Sequence, residues 1–437
     1  MQSPLQSPRD AERARRTWAA EHDAGRDIPD AVEVRTFDPA AMGGSLRFLD
    51  FADPGRFDVL VNGPGELQAR TVEGRPLWSV REEVRQLEAS TDFDPAHGRL
   101  LYCLVGNLHH ERQVNVVGGP IEYYVADEMV VLAGRTGKVL ARRKVDFPVE
   151  VDMLRHLDWS DGTGNLTGGG RFDIVLREWR KDKGGGVNLW AFDRRLNLLW
   201  RDTIETAWYG HHWAVQFFDA DADGRDELLA GGILYDASGR RLWVHDRAEE
   251  MLAIHSAQHY DAVAIGHFAG DAQADPVAFL LGGSAGLYVA DGLTGRTRAV
   301  HRIGHAQGRA FGKARADLPG TQVLAMTRWG NMGILTLFSG RGERLWTRQS
   351  DYRGQGAEFV TWPGGGPQLI WSCTSGPNQA LYDGFGRRVR ELRALPTLCG
   401  DRMRKDLGPR ILRMGDDGQD YLGMHVDGLL HVFGPRQ

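Results

Sequence analysis

Gly231–Val244 reads GGILYDASGRRLWV, and its reading decides the fold. Two short apolar runs flank a tight polar turn, Asp-Ala-Ser-Gly, which is the pattern of a β-hairpin. The same pattern recurs clearly in Gly286–Val300 (GLYVADGLTGRTRAV), Gly333–Thr347 (GILTLFSGRGERLWT) and Gln379–Leu392 (QALYDGFGRRVREL). Weaker copies are Glu66–Ser79 (ELQARTVEGRPLWS), Val130–Arg143 (VVLAGRTGKVLARR) and Val187–Arg201 (VNLWAFDRRLNLLWR). An eighth, Leu429–Gly434 (LLHVFG), runs into the last residues. Copies return at roughly 40–60 residues, the period of propeller blades.

Working outward, an apolar strand ending in an acidic turn precedes the hairpin in several units. Leu46–Phe51 precedes Asp53, Val215–Phe218 precedes Asp219, and Ile411–Met414 precedes Asp416. A second apolar strand follows, as in Asp58–Val61, Asp173–Leu176, Glu227–Ala230, Val277–Leu281, Gln322–Met326, Gln368–Trp371 and Tyr421–His425. Strand, acidic turn, strand and hairpin make a four-stranded antiparallel blade. The expected fold is therefore all-β: a single eight-bladed β-propeller, with seven blades as the alternative if the divergent first two units merge. The last unit has about three strands, and Ala31–Phe37 (AVEVRTF) is available as its outer strand, which would remove the exposed edges of an open array. Residues 1–30 read as a polar lead-in, with Asp10–His22 a candidate helix, and 31–437 as the propeller domain. Insertions fall at Gly106–Tyr124, Ser160–Arg171 and Lys181–Gly186, and long loops on a rigid scaffold are where function is usually carried.

Composition excludes several classes. A net charge of -5 with scattered Lys and Arg argues against a nucleic-acid partner. No run of about 18 apolar residues is present, so no membrane partner is expected. The N-terminus lacks an apolar signal region, so the chain as written reads as cytoplasmic, or as secreted if the start is mis-assigned or a signal was removed. Cys103, Cys373 and Cys399 lack zinc-ligand spacing and are expected as thiols; one pair could bridge in an exported protein. A monomer is expected.

The most specific local motif is Asp219-Ala-Asp221-Ala-Asp223-Gly224-Arg225-Asp226-Glu227. Alternating carboxylates with Gly at the sixth position suit a hard cation, and oxygen donors favour calcium over zinc. The expected ligands are Asp219, Asp221, Asp223 and Glu227, with the Arg225 carbonyl completing the loop and the ion serving structure. It is not an EF-hand, because Ala230 occupies the twelfth position. The comparable turns Asp50/Asp53/Asp58, Asp271/Asp275 and Asp416/Asp417/Asp420 are poorer sites.

Histidines cluster at or before the innermost strands: His211 and His212 in WYGHHWAVQFFD, His255 and His259 in IHSAQHYDAVAIGHF, and His305 in IGHAQGRAFGKA. His109 and His110 lie in the insertion of the second unit. A propeller brings such positions around one mouth. His255 and His259 are spaced H-x-x-x-H, but in a loop-and-strand context that spacing does not place both rings on one face. Tyr209, Asp261, Arg309, Arg328 and Trp329 accompany the histidines, a mixture suited to an acidic carbohydrate: Arg for a carboxylate, aromatic faces for sugar rings. Trp78, Trp200, Trp243 and Trp346 occupy equivalent positions after the hairpins and are assigned to packing.

The ordered series GHHWAVQFFDADADGRDELLAGGILYDASGRRLW, HYDAVAIGHF and GHAQGRAFGKARADLPGTQVLAMTRWG, over about a third of the chain, resembles the rhamnogalacturonan lyases of polysaccharide lyase family 11. The resemblance implies an eight-bladed propeller with bound calcium and a deep cleft, with His212, His259, Asp261 and Arg309 in the inner loops. The chain is shorter than typical members, and calcium loops such as Gly270–Pro276 have decayed. It is also similar to propeller lyases that cleave ulvan or rhamnosyl-glucuronate bonds with His and Tyr side chains. The expected function is β-elimination on an acidic polysaccharide or oligosaccharide. His109, His110, Tyr209, His212 and His259 are the candidates for proton transfer; His211, His255, Asp261, His305, Arg309, Arg328 and Trp329 are those for substrate binding. A non-catalytic carbohydrate- or protein-binding propeller is the alternative. A glycoside hydrolase would need two carboxylates facing one cleft, and no such pair is legible.

Overall fold

The computed structural model describes residues 28–106, 111–114, 120–123, 128–144, 155–160, 162–180, 187–204, 215–252, 260–271, 275–327, 333–349, 356–373, 379–396, 410–414 and 418–436. Its strands form eight four-stranded antiparallel sheets, the blades of an eight-bladed β-propeller, plus one two-stranded hairpin. Blades 1 to 7 occupy residues 45–80, 84–144, 155–204, 215–244, 262–301, 306–349 and 356–391. Blade 8 takes three strands from residues 410–435 and its fourth from Ala31–Phe37. Units 1 and 2 are thus separate blades, and the seven-blade alternative falls away. Val84–Ala89 and Leu100–Val105, the inner strands of blade 2, flank an acidic turn at Asp92 and Asp94, and Glu111–Val114 pairs with Pro120–Tyr123 inside the insertion. Among the described residues no helix is long and apolar enough to cross a membrane.

There is no single core. Buried apolar side chains form eight clusters, and each is shared by two neighbouring blades. In the second strand of blade 2, Leu101, Cys103 and Val105 pack towards blade 1, while Leu100, Tyr102 and Leu104 pack towards blade 3. Side chains alternate across a strand, so a strand buried on both faces reads as an unbroken apolar run. This is why the second strands lack polar alternation.

A ring of backbone-directed hydrogen bonds joins the blades at their outer rims. The Trp78, Trp200, Trp243 and Trp346 indoles donate to the carbonyls of Gly134, Ala237, Gly292 and Gly384, at 2.7, 3.1, 3.0 and 3.0 Å. Each acceptor lies in the hairpin turn of the following blade. Where Trp is missing, other N–H groups take its place. Arg143 donates to Leu196 at 3.1 Å, His301 Nε2 to Gly342 at 3.0 Å, and Arg35 to Val72 at 3.3 Å. The turn glycine fits beneath the ring: a Cβ at Gly295, where φ is +66°, would lie 2.6 Å from Trp243. Sequence reading assigned these tryptophans to packing; the structure adds the directed bond.

Blade 8 has no hairpin turn at its rim, because its two outer strands, Ala31–Phe37 and Leu429–Pro435, are far apart in sequence. The Arg436 N–H donates to the Asp30 carbonyl at 2.8 Å, closing the gap. Trp362, in the turn between the first and second strands of blade 7, donates to the adjacent Pro29 carbonyl at 3.0 Å, a joint made without an outer-strand donor. Ile28 is buried in the cluster between blades 7 and 8, so the end of the expected lead-in is part of the packed ring.

Two predictions follow from these joints. Trp243→Phe keeps the ring but strands the Gly292 carbonyl, and should lower the unfolding free energy in a urea titration by about 1–3 kcal/mol; an unchanged midpoint and slope would remove the latch from the account. His245, buried between blades 4 and 5, lies 2.8 Å from the Tyr260 hydroxyl and 3.0 Å from Thr297 Oγ1. Burial pulls its pKa down to about 4 from 6.5. The unfolded chain therefore binds a proton between these values that the folded chain does not, and stability falls as pH drops through that window. This group alone should cost about 2 kcal/mol between pH 7 and pH 5. Melting curves of His245→Gln should show a flatter pH dependence there; an identical slope would assign the effect elsewhere.

Candidate functional site

The blades present two unlike ends. Turns between first and second strands, and hairpin turns between third and fourth strands, lie at one end. Connections between blades, and those between second and third strands, lie at the other. The innermost strands are those that open each blade, since these contact one another around the axis. Residues just before an innermost strand therefore border the mouth at the second end.

The acidic turn of blade 4 lies at the first end. Ala222 at φ +61° and Gly224 at φ +89° curl the chain so that oxygens of Asp219, Asp221 and Glu227 come within 4.8 Å of one another. Asp223 is outside this group; its carboxylate accepts the Arg225 N–H at 2.8 Å. Burial, with Asp221, Asp223 and Asp219 nearby, pushes the Glu227 carboxyl up to about 7, against the Ala220 N–H bond that favours its charge. Oδ1 of Asp219 is buried without a hydrogen bond. In blade 1, by contrast, arginines neutralise the turn: Arg99 lies 2.9 Å from Asp50, Arg56 2.9 Å from Asp53, and Arg56 3.2 Å from Asp58. Among the described residues no basic group pairs with Asp219, Asp221 or Glu227. Uncompensated oxygens around one point fit a hard cation, which these three residues would hold. Such an ion would stand a strand's length from the mouth, about 13 Å for the four-residue strand Val215–Phe218. At that distance it would brace the blade without touching a ligand in the mouth.

At the mouth end, Asp261 and His305 come together. His305 Nε2 is 3.2 Å from Asp261 Oδ2, with side chains 9% and 3% exposed. Its Nδ1 is 3.0 Å from Oγ of Ser284, an exposed residue in the turn between the second and third strands of blade 5. Ser284 is absent from the sequence-based candidates; the run Gly282-Gly283-Ser284-Ala285-Gly286 was the available signal. Arg309 behaves differently from expectation. Its Nε donates to the Val263 carbonyl of blade 5, and its guanidinium lies 5.2 Å from the centre of the Phe311 ring. It also faces Glu358, an exposed residue whose carboxyl the surrounding protein shifts upward. Arg309 thus braces neighbouring innermost strands. His109, His110, Tyr209, His211, His212, His255, His259, Arg328 and Trp329 lie outside the described residues.

Calcium added in hundredfold excess over its dissociation constant should raise the unfolding free energy by about 2.7 kcal/mol. Chelator or Asp221→Ala should abolish the gain. Thermal unfolding that responds to neither calcium, chelator nor the substitution would count against an ion at this turn.

No family model matches the chain, and no curated protein sequence matches it. Among solved structures it is similar to rhamnogalacturonan lyase PL11 of Bacillus licheniformis, with a TM-score of 0.59 and 15% identity over 90% of this chain and 71% of that one. The exotype rhamnogalacturonan lyase YesX also gives a TM-score of 0.59 and 15% identity, over 94% and 76% of the two chains. The biofilm matrix protein Bap1 of V. cholerae gives 0.56 and 10% identity, over 94% and 91%. Likeness at these identities shows the architecture: a β-propeller fold related to that of these lyases.

Proposed function

We propose that this protein is a polysaccharide lyase that cleaves a uronic-acid-containing glycan by β-elimination. The observation that supports this most is positional. Val215–Phe218 and Ala262–Gly266, which follow residues 209–212 and 255–259 in the sequence, are innermost strands that start at the end of the ring where Asp261 and His305 meet. The β-propeller scaffold is related to that of rhamnogalacturonan lyases, which supports the same reading.

The reaction removes the C5 proton alpha to the carboxylate and expels the oxygen on C4. It requires a base, a donor to the leaving oxygen, and a group that stabilises charge building on the carboxylate. Histidine and tyrosine can serve the first two needs near neutral pH. His212 and Tyr209 are the favoured pair, with His259, His109 and His110 as further candidates. Arg328 is the remaining arginine candidate for the substrate carboxylate, since Arg309 is engaged within the ring. A non-catalytic carbohydrate- or protein-binding propeller is the second reading. That engagement of Arg309 favours it, as does the likeness to the matrix protein Bap1.

Elimination leaves a conjugated double bond, whereas binding does not, so ultraviolet absorbance on a panel of uronic-acid glycans separates the two. A rise in absorbance is expected with wild-type protein. His212→Ala should reduce that rise by about 10²–10⁴-fold at an unchanged melting temperature. Binding without unsaturated product on any glycan of the panel would replace the lyase reading with the binding one.

A further inference from the structure

Asp261, Ser284 and His305 come from three separate segments: the entry to blade 5, the turn between its second and third strands, and the entry to blade 6. Pairing of Gly283 with Ala306, with the Ala306 N–H on the Gly283 carbonyl at 2.9 Å, fixes the last two against each other. The imidazole is almost buried, with one nitrogen 3.0 Å from Ser284 Oγ and the other 3.2 Å from an Asp261 oxygen. Nε2 and Asp261 Oδ2 lie at charge-contact distance without a hydrogen bond, since that oxygen has no hydrogen-bond partner; the negative carboxylate beside Nε2 favours the neutral tautomer that carries its proton there. Nδ1 is then the acceptor, and the hydroxyl of Ser284 donates to it. Ser284 itself is exposed, and its neighbours Gly283 and Ala285 offer at most a methyl group to obstruct an approaching molecule.

We propose that Ser284, His305 and Asp261 form a second, nucleophilic centre at the mouth, which hydrolyses short-chain carboxylic esters. The roles follow from the geometry. Ser284 Oγ attacks the ester carbonyl carbon while its proton passes to His305 Nδ1. The carbonyl–alkoxide bond breaks, and the departing alcohol takes that proton, leaving an acyl-serine. Water then attacks the acyl carbon, gives a proton to Nδ1, and releases the carboxylic acid as the proton returns to Ser284. Asp261 acts through its charge alone, favouring the required tautomer and stabilising the ring when it is protonated. Compared with the usual serine triad, the two ring nitrogens exchange partners, but each step needs only one accepting and one donating nitrogen. This centre is independent of the lyase reading, since it asks nothing of a glycan.

The test treats the full chain with an alkyl fluorophosphonate and reads intact mass, alongside hydrolysis of p-nitrophenyl acetate. Wild-type protein should gain one phosphonyl adduct, located at Ser284 by peptide mapping, and should hydrolyse the ester. Ser284→Ala, at an exposed site and therefore expected to fold, should lose the adduct and slow hydrolysis by at least about 10²-fold. His305→Gln should lose the adduct while keeping the wild-type melting temperature to within a few degrees. Asp261→Asn should slow labelling and shift its pH profile, which a merely structural contact would not do. Absence of an adduct on wild-type protein overturns the proposal, and so does undiminished hydrolysis by Ser284→Ala.

Discussion

The ring depends on one repeated bond: an N–H on the outer strand of a blade reaching a backbone carbonyl in the next blade's rim turn. Apolar burial between blades is larger in energy but has no direction, so it cannot by itself set how far each sheet is rotated against its neighbour. A donor aimed at a fixed carbonyl can. Trp serves this best, since its flat ring covers the turn glycine while its single N–H points to the acceptor. The substitutes at Arg143, His301 and Arg35 share only the donor, which separates the essential part of the joint from the dispensable ring.

That joint explains why the fold was legible. The rim turn needs a residue at positive φ, glycine in most blades and Leu196 in blade 3, and the following strand places its latch residue four or six positions on, so the hairpins leave a similar short imprint. The closing role of Ala31–Phe37 was legible too, from an incomplete final unit beside a spare strand. Blade 2 was harder. Leu100–Val105 is buried on both sides and has no alternation, and its rim glycine is followed by Ala141 where blades 1, 3, 4 and 6 have Trp. Without the ring, the imprint loses its most visible letter.

The candidate site was legible only in part, for the opposite reason. Its residues lie on connections, whose lengths vary and which owe no periodic debt to neighbouring blades. The acidic turn was visible because a curled loop with several carboxylates needs fixed spacing, but spacing does not show that Asp223 lies outside the group formed by Asp219, Asp221 and Glu227. Ser284 and His305 meet because Gly283 pairs with Ala306 across a blade boundary, a contact with no local sequence signature. Arg309 was placed on an innermost strand, but spacing could not show that its Nε donates to the Val263 carbonyl of the neighbouring blade.

The junction at Asp30 and Arg436 makes folding a matter of timing. Blades 1 to 7 can form as the chain emerges, but blade 8 needs its first-made strand and its last-made strands together. At ordinary synthesis rates of about 5–20 residues per second, Ala31–Phe37 waits roughly 20–80 s for its partner. During that interval it is a bare edge, and Glu33 and Arg35 lie in its middle where charge discourages pairing with foreign strands. The same two residues are put to use once the ring shuts: Arg35 latches blade 1, and Glu33 meets His431 at 3.0 Å. A segment that must stay solitary while the ribosome works becomes the clasp of the finished ring.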